Sequence, residues 1–331
     1  RVRFDDFNFY MDKIAVTLNN NISQPEEGTH YEVWLRGGDP KTTRDIGAIS
    51  YNAAGVGRLD FNNPSQDNFL RDYDQVLITR EKNGVAIAAP TNDVAYSSVF
   101  PPQALKYVRY VIVSYDKTPD QGPLMQNLWY YSGDYVNKSI NGDDLNKQYQ
   151  GIVQAFTASN EATLRKRTEE VINQIVGNQS NEYLDYDGDG IVDDPGDGYG
   201  SISTGGEHLG YLQETILYAK SAADAPDSTP NIRLYSENVQ VCIQNMEGWS
   251  NEILQLALQL SKMPMDAAMQ PVVTQLSTLG NQLVHGIDTN GNGFIDPSAG
   301  ECGADTAYEH AYFMADMPVY TGSDRIPPSG K

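Results

Sequence analysis

The pattern of apolar and polar positions changes period once along the chain, near Pro101-Pro102. Before that point apolar residues alternate with polar ones or form short runs broken by turn residues, the period-two signature of strands. Ile14, Val16 and Leu18 alternate, and Tyr31-Glu32-Val33-Trp34-Leu35 and Val76-Leu77-Ile78-Thr79 read as strands. Lys82-Asn83-Gly84 predicts a tight turn into a further strand at Val85-Ala86-Ile87. Short strands with Gly, Asn and Pro between them predict a β-sandwich over residues 1–101.

After Pro102 the period becomes helical. Helices are predicted over 104–114, 124–138 and 143–157, then along the face carrying Leu164, Val171, Ile172 and Ile175, and again over 207–222. A Gly- and Asp-rich loop, 185–199, separates the last two. The most regular pattern comes next. Tyr235, Val239, Cys242, Met246, Trp249, Ile253, Leu256 and Leu260 alternate steps of four and three, and the steps resume at Met265, Met269, Val272, Leu276, Leu279 and Leu283. Such a repeat makes a narrow seam between packed helices. The short break at Lys262-Met263-Pro264 predicts an antiparallel hairpin, with Pro271 delaying or kinking the start of its second arm. In such a hairpin Cys242 stands at the height of Val284, and a short loop then leads to Cys302. The only two cysteines are therefore expected to form a disulfide, which belongs to an oxidising compartment.

Charge narrows the function classes. The 331 residues carry 23 Lys and Arg against 44 Asp and Glu, a net charge of −21. No basic footprint is available for nucleic acid or for an anionic membrane surface. No apolar run approaches a membrane span, so no membrane insertion is expected. The absence of CxxC and CxxCH spacings excludes thiolate zinc and covalent haem. The chain opens Arg1-Val2-Arg3 rather than with Met, as expected where a leader has been removed or a preceding segment is missing.

Two loops carry candidate chemistry. In the first, Asp185, Asp187, Asp189 and Asp193 stand at positions 1, 3, 5 and 9, with Gly190 at 6 and the Ile191 carbonyl at 7. In the second, Asp288, Asn290, Asn292 and Asp296 take the same places, with Gly293 and the Phe294 carbonyl. Alternate residues of a tight loop turn hard oxygens inward, which is what Ca²⁺ requires, and glycine permits the sharp turn. Val192 and Ile295 at position 8 are expected to pin the loops to the core. Position 12 holds Gly196 or Ala299 instead of a bidentate Glu, leaving Asp197 and Glu301 to close longer loops. Two calcium ions are expected, the second held more weakly because two of its ligands are neutral Asn. The loops resemble EF-hand and dockerin-type calcium loops over about a dozen residues each.

A second resemblance lies upstream. Residues 27–35 (Glu-Gly-Thr-His-Tyr-Glu-Val-Trp-Leu), Ile46-Gly47, Gly57-Arg58-Leu59 and 73–81 (Tyr-Asp-Gln-Val-Leu-Ile-Thr-Arg-Glu) resemble the extracytoplasmic domain of anti-sigma-K factors over roughly residues 10–95. The resemblance implies a β-sandwich and an extracytoplasmic address. The membrane helix and sigma-binding domain of that family have no counterpart here, so sigma regulation is not implied. The helical part resembles helix-plus-calcium-loop regions of secreted bacterial proteins of unassigned role.

No nucleophile elbow, zinc-protease motif or phosphate loop occurs. Gly206-Glu207-His208 reads as a helix start with a surface His, and Glu169-Glu170 as a solvated helix face. The sequence therefore predicts an α+β protein, with a β-sandwich over 1–101, an antiparallel helical bundle with two EF-hand-like calcium loops over 102–318, and a tail over 319–331. The expected role is that of a non-enzymatic, secreted or cell-surface calcium-binding module acting on a protein partner or on itself. One alternative is a self-assembling filament or surface-layer subunit, with the segment 1–12 (Phe4, Phe7, Phe9 and Tyr10 among Asp and Asn) adding to a neighbour's sheet. The other is a hydrolase with an interdomain site.

Overall fold

The computed structural model describes residues 1–5, 12–38, 42–65, 68–142, 150–202 and 209–329. The expected aromatic positions Phe7, Phe9 and Tyr10 lie outside the described residues, as do Glu207 and His208. Contacts group the chain into two units. Unit 1 comprises 1–114, 221–236 and 311–331; unit 2 comprises 115–220 and 237–310. The first unit thus runs past the change of period at Pro101 and takes in two later segments.

Unit 1 holds two antiparallel sheets. The first has the order β1 (Val2–Asp5), β2 (Lys13–Leu18), β6 (Gly57–Asn62), β5 (Ser50–Tyr51); the second has β4 (Thr42–Ala48), β3 (Thr29–Gly37), β7 (Gln75–Lys82), β8 (Val94–Val99), β9 (Tyr320–Thr321). Alternation does what period two requires: Ile14, Val16 and Leu18 of β2 are buried while Lys13, Ala15 and Thr17 are only half-buried. β3 is flanked on both edges and buries five consecutive residues, Tyr31 to Leu35. The indole N–H of buried Trp34 donates to Thr79 Oγ1 at 2.9 Å, so the ring is buried without an orphaned donor. The expected strand at Val85-Ala86-Ile87 does not form: after the turn at Asn83-Gly84 the chain stays irregular, Val85 is exposed, and pairing resumes at Val94. Three apolar residues without a neighbouring edge have no ladder to join. The expected tail contains β9, which pairs with β8.

Helix α1 (Phe69–Asp72) is a single turn capped by Asn68, whose side chain accepts from the Leu70 N–H. Helix α2 (Pro102–Ile112) lacks a capping side chain of its own, because Pro101 precedes it. Asp227, from the second segment of the unit, accepts the Gln103 and Ala104 N–H groups at 2.8 and 3.0 Å. A carboxylate on the orphan donors of a helix start stabilises it by about 1 kcal/mol and here ties a distant segment to the sheet unit. Arg1 and Arg3 both pair with Asp316 of the third segment.

Unit 2 is helical. Helix α3 (Leu124–Asp134) widens into a π-helical stretch, Tyr135–Asn141, which ends at Gly142 with φ 72°. This stretch packs on α4 (Ile152–Thr157), α5 (Glu161–Val176) and α8 (Gln270–His285). Gly280 of α8 lets the helices close up: a Cβ there would lie 3.1 Å from Val136. The helix expected from residue 143 is described only from Ile152, and the one expected from 207 only from Tyr211, where α6 (Tyr211–Asp224) begins. Helix α7 (Pro230–Leu260) carries the predicted seam in unit 2, with Val239, Cys242, Met246, Ile253 and Leu260 buried, although Ile243, Leu254 and Ala257 broaden the stripe. Its last carbonyls are met by Arg165, whose guanidinium donates to Leu260 O and Ser261 O at 3.0 Å and to Met263 O at 2.6 Å. Helix α9 (Ala304–Phe313) follows the second acidic loop. No helix among the described residues is long and apolar enough to cross a membrane.

Cys242 and Cys302 are joined by a disulfide that closes 60 residues, with Cα atoms 5.0 Å apart. A loop of that length removes roughly 4 kcal/mol of unfolded-state freedom. Replacing both cysteines by serine is expected to lower stability in urea unfolding by about 2–5 kcal/mol; a loss under about 1 kcal/mol would refute this account.

Glu32, buried in β3 of unit 1, makes a pH-dependent contribution. Burial, and then the neighbouring Asp45, push its carboxyl up to about 7, against a pull downward from His30. The folded value is above the unfolded one, so its contribution is full below about 4.5 and is lost as pH rises through about 7. Glu32→Gln is expected to gain on the wild type between about pH 4 and about pH 8, measured by thermal melting; a pH-independent difference would refute it.

Candidate metal centres

Helix α5 ends at Val176 with Gly177 (φ 72°), and the chain turns back along the helix into the first acidic loop. There each oxygen side chain folds its own loop. Asp185 accepts the Gly188 and Gly190 N–H groups at 2.6 and 2.9 Å. Asp187 accepts from Asp189 N at 2.9 Å, and Asp189 from Ile191 N at 2.8 Å. Gly188 and Gly190 take φ of 79° and 90°, which L side chains rarely adopt.

The second loop repeats this ladder between α8 and α9. Asp288 accepts from Gly291 N at 2.6 Å and Gly293 N at 2.8 Å, Asn290 from Asn292 N at 3.0 Å, and Asn292 from Phe294 N at 2.8 Å. Gly291 and Gly293 have φ of 74° and 85°. Backbone N–H groups, Gly293 first and then Gly291, Asn292 and Asn290, hold the exposed Asp288 below the usual carboxylate range. In both loops the position-7 side chain, Ile191 or Phe294, points to solvent. Val192 does so too, so it does not pin the first loop to the core as expected, whereas Ile295 is half-buried.

The loops close differently. In the second, Glu301 is 1% exposed and receives the Asn290 amide at 3.3 and 3.2 Å and the Ser298 hydroxyl at 2.7 Å. Asn290 and Asn292 donate to Asp296 at 3.3 and 2.6 Å, so Asn290, Asn292, Asp296 and Glu301 are joined through their side chains, while Asp288 takes backbone N–H groups. From α7, Asn245 donates to Ser298 O and Cys302 O and accepts from Gly300 N, fixing the closing segment beside the disulfide. His285 pairs with Asp305 at 2.7 Å rather than with the loop.

In the first loop Asp197 is engaged elsewhere: it accepts from the Tyr211 hydroxyl and from Tyr199 N at 3.0 Å. The carboxylate that meets the loop is Glu169, from the middle of α5. It is fully buried, not solvated. It accepts Tyr186 N at 2.6 Å, Asp187 N at 3.0 Å and Asp193 N at 2.6 Å. Burial raises its pKa, while those N–H groups oppose the rise. Glu170 is buried as well, paired with Arg167 and bonded to Ser139 at 2.9 Å. Neither was legible as an interior residue, because α5 carries apolar and charged residues on neighbouring positions and the loop that covers Glu169 lies outside the helix.

Oxygens of Glu169, Asp185 and Asp187 lie within 4.8 Å of one another, and so do those of Asp187, Asp189 and Asp193. Ligands on opposite sides of a Ca²⁺ ion at about 2.4 Å stand about 4.8 Å apart, so these groups could hold a metal ion. Asp193 meets Lys166 at 2.5 Å through one oxygen, while its other oxygen is buried without a partner. Comparison with protein-family models, with curated proteins and with solved structures gives no match.

Glu169→Gln cannot accept all three N–H groups, since one face of the amide is itself a donor. It is expected to lower stability by about 1–3 kcal/mol in denaturant unfolding and to speed amide exchange at Tyr186, Asp187 and Asp193. Unchanged exchange at these positions would overturn its role as anchor.

Proposed function

We propose that this chain is a non-enzymatic, extracytoplasmic calcium-binding protein, a binding or structural module in which each acidic loop takes one calcium ion that stabilises the helical unit. The observation that carries this reading is the recurrence of one hydrogen-bond ladder in two loops, built on Asp185 and on Asp288, with carboxylates close enough to share an ion in the first. The donors are hard oxygens in number and spacing suited to Ca²⁺; Mg²⁺ prefers a tighter octahedron that keeps its waters. In the first loop the ligands are Asp185, Asp187, Asp189, the Ile191 carbonyl and Asp193, with Glu169 in place of Asp197. In the second they are Asp288, Asn290, Asn292, the Phe294 carbonyl, Asp296 and Glu301. Calcium offsets the repulsion among these carboxylates and holds each loop to its helices.

The disulfide supports an oxidising compartment, and the net charge of −21 supports a chain kept soluble by its surface. We also read the two sheets of unit 1 as layers of a sandwich. Arg44 of β4 lies 5.6 Å over the Phe61 ring of β6 and donates to Asn63 at 2.7 Å, which supports facing layers.

Calorimetric titration with Ca²⁺, paired with melting in calcium and in chelator, tests the reading. Asp185→Asn and Asp288→Asn are each expected to abolish one binding event, and each occupied site adds about 2.7 kcal/mol at free calcium 100-fold above Kd. Identical melting with calcium and with chelator would leave both loops as plain turns.

A further inference from the structure

Asp194 and Asp197, which follow the first loop, line a small recess within unit 2 together with Gln174, Tyr131, Ser201 and Tyr211. It offers about 10 Å³, room for one water-sized occupant. Gln174, near the end of α5, is 6% exposed, and its Oε1 is buried without a hydrogen-bond partner. An amide oxygen left so is a standing demand for a donor or a cation. Four of the donors nearby, the Gly196 and Tyr199 N–H groups and the Tyr183 and Tyr211 hydroxyls, are already engaged. Asp194 takes Gly196 N at 2.8 Å and the Tyr183 hydroxyl at 3.3 Å. Asp197 takes Tyr199 N at 3.0 Å and the Tyr211 and Tyr131 hydroxyls. Even so, each carboxylate keeps at least one lone pair beyond these donors.

Two like charges and an unmet carbonyl oxygen around a space for one particle call for a positive occupant. Gly196 keeps the space open, since a Cβ there would stand 3.0 Å from Asp194 Oδ1 and 3.3 Å from Gln174 Cγ. We propose that this recess is a third cation site, taking a calcium ion through Asp194, Asp197 and Gln174 Oε1. Its ligands are hard oxygens, as Ca²⁺ prefers over softer donors. It shares no residue with the acidic clusters of the first loop, which are formed by Glu169, Asp185, Asp187, Asp189 and Asp193.

Counting bound calcium on the full chain by equilibrium dialysis tests this. The wild type is expected to hold three ions. Asp197→Asn, Gln174→Leu and Asp185→Asn should each hold two, and the Asp185→Asn/Asp197→Asn double variant one. Two ions in the wild type, unchanged by Gln174→Leu, would overturn the proposal and leave a water in the recess. A double variant that binds as many ions as Asp185→Asn alone would also overturn it, returning Asp197 to the first loop. An ion lost with Asp197→Asn but untouched by Asp185→Asn and Asp288→Asn would sink the loop reading and keep this one. Should a variant fail to fold, wild-type crystals soaked in Tb³⁺ decide: an anomalous peak among Asp194, Asp197 and Gln174 supports the site, and its absence beside occupied loops refutes it.

Discussion

A carboxylate buried in a protein must be met by donors or by a cation, because the loss of water costs several kcal/mol otherwise. Glu169 meets that requirement with three backbone N–H groups of a loop, and in doing so it decides where the loop lies. The Asp185 end and the Asp193 end of the turn are both drawn to one side chain on α5. The acidic side chains between them lie close enough to one another to share an ion. Helix, loop and cluster are in this sense one structure: the helix supplies the anchor, and the loop's own N–H groups satisfy it.

How much of this was legible in the sequence depends on the range over which each feature is determined. The turns of both loops are local. Asp or Asn accepting an N–H two or three residues on, with glycine at the left-handed positions, is written in a dozen consecutive residues. The seam of α7 and the strands β2, β3 and β7 were legible for the same reason, since a repeated period needs no partner to be read. The anchor was not, because Glu169 looks like any charged helix residue until the loop is folded over it. The extent of unit 1 was hidden likewise. Nothing near Pro102 announces that Asp227 will supply the cap α2 lacks. The apolar run at Val85 to Ile87 shows the converse error: a local strand pattern with no edge to pair against stays irregular.

The two loops reach the same ladder from different chemistry. The first is rich in charge and is held by hydrogen bonds to Glu169 and by the Lys166–Asp193 ion pair. The second replaces two carboxylates by Asn, and its closing residue Glu301 comes one position before a cysteine tied to α7. Asn245 adds three backbone contacts to the same segment. Charge strengthens attraction for a cation, whereas pre-ordering reduces what binding must still organise. Counting carboxylates alone would rank the second loop far below the first. The covalent and hydrogen-bonded support around Glu301 works against that ranking.

Each loop also carries an internal stand-in for positive charge. Lys166 stands against Asp193 at 2.5 Å, and the amide N–H groups of Asn290 and Asn292 reach Glu301 and Asp296. These contacts set a charged or polar donor against the acidic side chains of each loop. On the proposed reading they would also compete with a calcium ion, which at Asp193 would have to do better than an ammonium already in place. At the recess Asp194 and Asp197 are met by neutral hydroxyl and backbone donors, with no ammonium among them, and the unpartnered Gln174 oxygen adds a further negative dipole. The pressure to admit a cation is therefore set by local neutralisation at each cluster, more than by the acidity of the chain as a whole.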